Sequence, residues 1–198
     1  MSTRPPSLAT RAERVILDAD ALGRTLQRIA HEIIEANSEL DGVALVGIHT
    51  RGVPLARRLR RLIEEFSGTE VGLGTIDITF HRDDVHVRGG EAPLHPQPLV
   101  RETKLEFGLE GRTCILVDDV LYTGRTIRAA IEALFAYGRP DRVQLAVVAD
   151  RGHRELPIRP DYVGKNLPTA RDERVNVRVD EVDGIDEVTI SQHAEVAA

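Results

Sequence analysis

Cys114-Ile115-Leu116-Val117-Asp118-Asp119-Val120-Leu121-Tyr122-Thr123-Gly124-Arg125-Thr126 carries an apolar β-type run into two adjacent carboxylates, a glycine turn and the start of a helix. Ile115, Leu116 and Val117 read as a buried strand, and an amphipathic helical pattern continues to Tyr137. In an open α/β sheet, ligands bind outside the carboxyl ends of the strands. The turn aims backbone N–H groups, backed by the helix dipole, at an anion. Carboxylates just before it suit neighbouring hydroxyls, or a Mg²⁺ bound to them. The ligand this predicts is a sugar phosphate, its phosphate at Thr123, Gly124, Arg125 and Thr126 and its diol at Asp118 and Asp119. The competing reading makes the acidic pair a helix cap and Gly124 a plain turn, but a cap needs one carboxylate and has no use for a second.

Working outward, β-type and helical segments alternate along the chain, which predicts an α/β fold with a mostly parallel sheet flanked by helices. Strands are expected at Arg14–Leu17, Val43–Ile48, Val71–Phe80, Thr113–Val117 and Val143–Ala149, with short β segments at Val175–Val179 and Val188–Ile190. Helices are expected at Asp20–Ala36, with Leu22, Leu26, Ile29 and Ile33 at helical spacing, at Pro54–Phe66 and at Arg125–Tyr137. Residues 81–104 break the alternation with Gly89-Gly90, Pro93, Pro96 and Pro98, and a loop of that length is usually functional or disordered. His81, His86 and His95 lie in it at irregular spacing, better read as solvated histidines than as a metal site.

Two nucleotide-binding patterns are excluded. No G-x-x-x-x-G-K-[ST] occurs, and Gly72-Leu73-Gly74-Thr75-Ile76-Asp77 has Asp where a dinucleotide fingerprint needs a small residue. The 198 residues suit one domain, residues 13–190, with disordered tails at 1–12 and 191–198. A single cysteine, Cys114, inside the apolar strand rules out a disulfide framework and points to a reducing cytoplasm; a buried Cys is favoured over a reactive thiol. No stretch approaches the roughly 20 apolar residues of a membrane span, and no signal peptide opens the chain. The net charge of −6 argues against wholesale nucleic-acid binding but leaves room for a local basic face.

Val117 to Thr126 resembles the phosphoribosyl-pyrophosphate (PRPP) motif of type I phosphoribosyltransferases. With Arg28-Ile29-Ala30-His31-Glu32, Leu45 to Gly52, Ile76-Asp77-Ile78-Thr79 and Asp150 to Arg159, it is similar to one branch, the bacterial pyrimidine operon regulators that are also uracil phosphoribosyltransferases. The resemblance covers roughly Arg14 to Thr189. It implies a type I phosphoribosyltransferase fold with a flexible lid at about 81–104 and a small hood at about 150–180. It also implies conversion of uracil and PRPP, with Mg²⁺ carried mainly on PRPP and water, into UMP and pyrophosphate.

The turn Gly47 to Gly52 offers backbone N–H groups and the Arg51 guanidinium to a second anion. In the family it is the pyrophosphate loop, built here on Thr50, Arg51 and Gly52, commonly with a non-proline cis peptide. Asp118 and Asp119 would bind the ribose diol and support positive charge developing at the anomeric carbon. No Ser or Cys stands in these loops to act as a covalent nucleophile. Uracil would be read by backbone groups near Arg151 and Val175. Arg28 and His31 share one helix face, for which a solvated polar surface is the ordinary reading. The family resemblance adds them to His153, Arg154, Arg159 and Lys165 as a concave dimer surface for pyrimidine-operon mRNA, sensitive to UMP or UTP. Gln27 and Ala36 depart from the pattern of relatives there. A homodimer or higher homo-oligomer is expected, and no membrane partner. Two rival readings are a regulator that has lost catalysis and a purine salvage transferase, which the match over Arg151–Lys165 disfavours.

Overall fold

A computed structural model describes residues 13–79 and 102–192. The expected tails at 1–12 and from 193 onward, most of the 81–104 lid, and His81, His86 and His95 lie outside the described residues.

The chain runs β1 (Arg14–Leu17), α1 (Ala19–Ala36), β2 (Val43–Ile48), α2 (Gly52–Ser67), β3 (Gly72–Ile76), β4 (Lys104–Leu105) and β5 (Thr113–Leu121). It continues through α3 (Arg125–Phe135), β6 (Arg142–Asp150), β7 (Tyr162–Asn166), β8 (Glu173–Arg178), α4 (Asp180–Asp183) and β9 (Glu187–Gln192). Six strands form one sheet in the order β4-β3-β2-β5-β6-β7, all neighbours parallel except β4 on β3. The order places β2 and β5, the two strands that end in ligand-type turns, side by side at its centre. A second, antiparallel sheet has the order β1-β9-β8.

Alternation along the strands divides the core between the two faces of the large sheet. Leu45, Ile115, Val117 and Val148 face α1 and α2, with Leu22, Leu26, Ile29, Leu55 and Leu59. That cluster extends into the small sheet through Val175, Val177, Val188 and Ile190. Val46, Leu116, Leu145 and Val147 face α3, with Ile127, Ala130 and Leu134. Cys114 belongs to this second cluster, and burial pushes its thiol pKa up to about 11, so it is a packing residue. At the start of α1, the Asp18 carboxylate accepts the Ala21 N–H at 2.8 Å, a side-chain cap.

The elements depart from the sequence-based expectation in four places. β5 extends to Leu121, because Asp118, Val120 and Leu121 stay in register with Val147, Ala149 and Asp150 of β6. The acidic pair therefore lies within the strand, not after it. β3 stops at Ile76, short of Phe80. β7 has no strand-like pattern, since Gly164, Lys165 and Asn166 are polar or small; as an edge strand it buries only one neighbour's side. The stretch from Asp150 to Lys165, expected as hood, thus ends in the large sheet, and β1, β8 and β9 build the smaller layer. Ser191 and Gln192 belong to β9, not to a tail.

Candidate active site at the carboxyl edge of the sheet

The turn after β2 lies directly on β5, and two glycines make that approach possible. A Cβ on Gly52 would sit 2.2 Å from the Val117 carbonyl oxygen, and one on Gly47 would sit 2.6 Å from the Gly52 oxygen. Both obstacles are backbone, which cannot step aside. The His49–Thr50 peptide is cis, as the family resemblance implied. The His49 N–H donates to the Ile76 carbonyl at 3.0 Å, tying the turn to β3.

This packing brings Arg51 to the acidic pair. Asp118 is buried at 7% exposure, and one of its oxygens accepts the Asp119 N–H at 3.0 Å. Asp119 is half-buried and accepts the Val120 N–H at 2.7 Å. Burial raises the Asp119 pKa, with the Val120 N–H and the Arg51 charge opposing the rise. Arg51 also makes a bidentate pair with Asp183 of α4, Nε to Oδ2 at 2.9 Å and Nη2 to Oδ1 at 2.6 Å. That pair holds the Arg51 pKa above its ordinary value and Asp183 below the usual carboxylate range.

A cavity of about 360 Å³ opens between this corner and the small sheet. Arg51 and Asp119 line one wall; Arg174, Val175, Asn176 and Arg178 of β8 line the other. Arg178 is neutralised by Glu13 at 2.8 Å and by Glu187, whereas Arg174 stands exposed. Val175 itself is buried in the core and pairs with Ile190 of β9.

Past the acidic pair, at the carboxyl end of β5, the turn Tyr122 to Gly124 enters α3. Gly124 has φ +94°, the left-handed region that glycine adopts without penalty. The first N–H groups of a helix lack intrahelical acceptors, so the start of α3 presents Arg125 and Thr126 amides to an anion. The Arg125 N–H donates to the Thr123 hydroxyl at 3.4 Å. Behind the turn, the Thr123 carbonyl accepts Glu155 N–H at 3.0 Å and Leu156 N–H at 3.1 Å, and Arg125 Nε pairs with Glu155 at 2.7 Å. Among the described residues, no three His, Cys, Asp or Glu side chains converge as a metal cage.

The residues expected to read uracil or bind RNA fall into three groups. Arg151 is buried: its Nε donates to the Thr169 hydroxyl at 3.2 Å and its guanidinium lies 4.1 Å from the Tyr122 ring centroid. Arg154 is spent on its own loop, donating to the carbonyls of Ile158 at 2.9 Å and Tyr122 at 2.8 Å and pairing with Asp150 at 2.5 Å. His153, at φ +57°, contacts the Thr169 carbonyl oxygen at 2.6 Å. Arg28 donates to the Val163 carbonyl at 3.0 Å and to that of Gly164, joining α1 to the β7 edge, and pairs with Glu32. His31 stacks on Phe66 of α2, ring centroids 4.2 Å apart. Arg159 and Lys165 are exposed, beside and within β7. Arg28 thus reaches the backbone of β7 from the α1 side, Lys165 follows in the same strand, and Arg154 belongs to the brace under the turn into α3. Asp183 and Arg58 were not singled out by sequence. The acidic run from Asp180 to Glu187 is visible there, but Arg51 and Arg58, the partners of Asp183, Glu181 and Asp186, lie more than a hundred residues upstream.

The family described as phosphoribosyl transferase domain matches residues 14–181. The chain is 57% identical over 175 residues to the bifunctional protein PyrR of Thermus aquaticus, covering 88% of this chain and 93% of that one. It is 51% identical over 177 residues to the bifunctional protein PyrR of Clostridioides difficile, covering 89% and 97%. Among solved structures, the hypoxanthine phosphoribosyltransferase of Trypanosoma cruzi matches with a TM-score of 0.66 at 17% identity, over 92% of this chain and 98% of that one. The Staphylococcus aureus enzyme of that name matches at 0.63 and 16%, over 92% and 93%. At such identities the solved structures speak to the fold alone.

Proposed function

The chain belongs to the phosphoribosyl transferase family, among relatives named bifunctional protein PyrR, and on that footing we propose that it transfers the phosphoribosyl group of PRPP to uracil, giving UMP and pyrophosphate. One observation carries the reading. The Asp118–Asp119 pair, the Gly124 turn opening α3 and the Arg51 turn meet at one sheet edge, beside a cavity of about 360 Å³.

Each part has a chemical task. The amides of Thr123, Gly124, Arg125 and Thr126 hold the 5′-phosphate, and Asp118 and Asp119 accept hydrogen bonds from the ribose hydroxyls. Positive charge grows on the anomeric carbon as its bond to pyrophosphate breaks and the bond to uracil N1 forms. The adjacent carboxylates favour that charge, and Thr50, Arg51 and Gly52 take the departing pyrophosphate. The carboxylate oxygens of Asp118 and Asp119 suit a Mg²⁺ that would arrive on PRPP, largely through its own oxygens and water, and would neutralise charge on the leaving group. Main-chain groups near Arg151 and Val175 are assigned to the uracil edge. A segment at about 81–104 is assigned as lid, and the layer of β1, β8 and β9 as hood.

The second function of a bifunctional protein is assigned to RNA. We assign pyrimidine-operon mRNA to cations about β7, namely Arg28, which reaches that strand from α1, and the exposed Lys165 and Arg159, with UMP or UTP in the transferase pocket as effector. No helix among the described residues is long and apolar enough to cross a membrane; we place the protein in the cytoplasm as a homodimer or higher homo-oligomer.

Radiolabelled uracil, hypoxanthine and guanine, each with PRPP and Mg²⁺, distinguish the readings. Uracil alone should give nucleotide. Conversion of hypoxanthine or guanine would make this a purine salvage enzyme, and no product from any base would leave the regulatory role by itself.

A further inference from the structure

We infer that Asp183 is the positioning residue for Arg51, turning the free edge of its guanidinium into the cavity where pyrophosphate is held. The inference rests on the phosphoribosyl-transfer reading of this site.

A guanidinium has five N–H donors in a rigid plane. Asp183 takes two of them, one on Nε and one on Nη2, at 2.9 and 2.6 Å. That side-on pairing fixes the plane of the group and leaves the donors of Nη1 and the second of Nη2 for another anion. Arg51 lines the cavity together with Asp119, so those donors have a place to act. Asp183 is itself held: its Oδ2 also accepts the Val179 N–H at 3.0 Å, and its side chain is only 17% exposed. The short helix that carries it is anchored separately. Arg58 of α2 forms bidentate pairs with Glu181, at 2.8 and 2.6 Å, and with Asp186, at 2.9 and 2.8 Å. Without Asp183, the carboxylate left acting on Arg51 is Asp119, which the ribose needs. An Arg51 without that fixed plane no longer aims its remaining donors at the pyrophosphate.

Two simpler roles make different predictions. If Asp183 only clamps α4 to α2, then breaking the Arg58 pairs should have the same effect. If Asp183 instead blocks Arg51 and must be displaced by the ligand, then removing it should tighten pyrophosphate binding.

The test compares wild type with Asp183→Asn, Asp183→Glu and Arg58→Gln in the full chain. Three quantities are measured: the KM for PRPP, the inhibition constant of pyrophosphate with Mg²⁺, and UMP binding by calorimetry. In Asp183→Asn, the first two should rise on the order of tenfold, the penalty expected when a charge-assisted hydrogen bond is misplaced. UMP affinity should hold within roughly twofold, because UMP has no pyrophosphate to meet Arg51. Asp183→Glu should recover part of the affinity. Arg58→Gln should lower Tm yet leave the pyrophosphate constant near wild type. An unchanged or tighter pyrophosphate constant in Asp183→Asn overturns the inference, as does an equal shift in Arg58→Gln or a parallel fall in UMP affinity. If wild type transfers to no base, the underlying reading fails, and direct calorimetry of Mg²⁺-pyrophosphate against wild type and Asp183→Asn still decides the role of Asp183.

Discussion

Asp119 sets the chemistry of the site against the stability of the fold. Burial raises its pKa, so the folded protein binds its proton more tightly than the unfolded chain does. Its ionised form therefore costs stability at neutral pH, and the cost disappears below about pH 4, where the unfolded carboxyl is protonated as well. Asp119→Asn, whose amide oxygen still accepts the Val120 N–H, should raise Tm at pH 7. The gain should shrink to nothing as scans are taken down through that range. Transfer should move the other way. The double variant Asp118→Asn with Asp119→Asn gives up charge-assisted hydrogen bonds at about 1.5–3 kcal/mol each, which predicts a fall in kcat of about a hundredfold or more. Near-normal turnover in that variant would remove the pair from the site.

At the level of elements, close backbone approach holds the site together. The first turn of α2 rests on the end of β5 because Gly52 has no side chain; a Cβ there would lie 2.2 Å from the Val117 oxygen. Gly52→Ala should destabilise the protein by about 1–3 kcal/mol, as overpacking does, and abolish transfer activity with it. Thermal scans beside the uracil assay would show both, and an unchanged Tm would mean the turn is free to shift. The loop after β6 is a second brace. Arg154 binds the carbonyls of Tyr122 and Ile158, so Arg154→Gln should loosen the turn into α3 and depress uracil transfer. Part of any RNA effect of Arg154→Gln would then be indirect. Retention of full transfer would return Arg154 to the cations available to RNA.

Across the whole molecule, Arg159 and Lys165 are exposed cations before and within β7, and the net charge of −6 leaves room for such a local basic site. Lys165→Gln and Arg159→Gln should weaken binding to pyrimidine-leader RNA and leave uracil transfer within about a few-fold of wild type. For every RNA phosphate that a variant no longer neutralises, the salt slope of log affinity should fall by about 0.7–0.9. Filter binding across a salt series measures this, and unchanged slopes in both variants would move the RNA surface elsewhere. In an acid-bearing clamp on the small sheet, hydrogen bonds from Arg51 hold Asp183 below the usual carboxylate range, those from Arg58 do the same to Glu181, and Thr189 and Arg178 do so to Glu13. Lowered folded-state pKa values contribute stability that is present above about pH 4 and is lost as pH falls through them. Amides of β1, β8 and β9 should therefore lose hydrogen-exchange protection on acidification before those of β2 and β5. Simultaneous loss in both sheets would show that the clamp does not control the smaller layer.

The sequence by itself determined the β/α alternation, the six-residue buried strand β2, the glycine turn at Gly124 and the family, because those features rest on interactions between near neighbours and on local backbone demands. Tertiary structure alone decided that β5 runs on through Asp118 and Asp119, because only pairing with β6 keeps two carboxylates in a strand. It likewise decided that polar β7 closes one edge of the large sheet, where an edge strand needs no apolar pattern of its own. The pairing of Arg51 with Asp183 and of Arg58 with Glu181 and Asp186 spans more than a hundred residues. Charges that far apart in the chain carry no mark of their partner. The fold selects the partners by bringing α4 against α2 through the buried valines and isoleucine of β8 and β9, which share one core with α1 and α2.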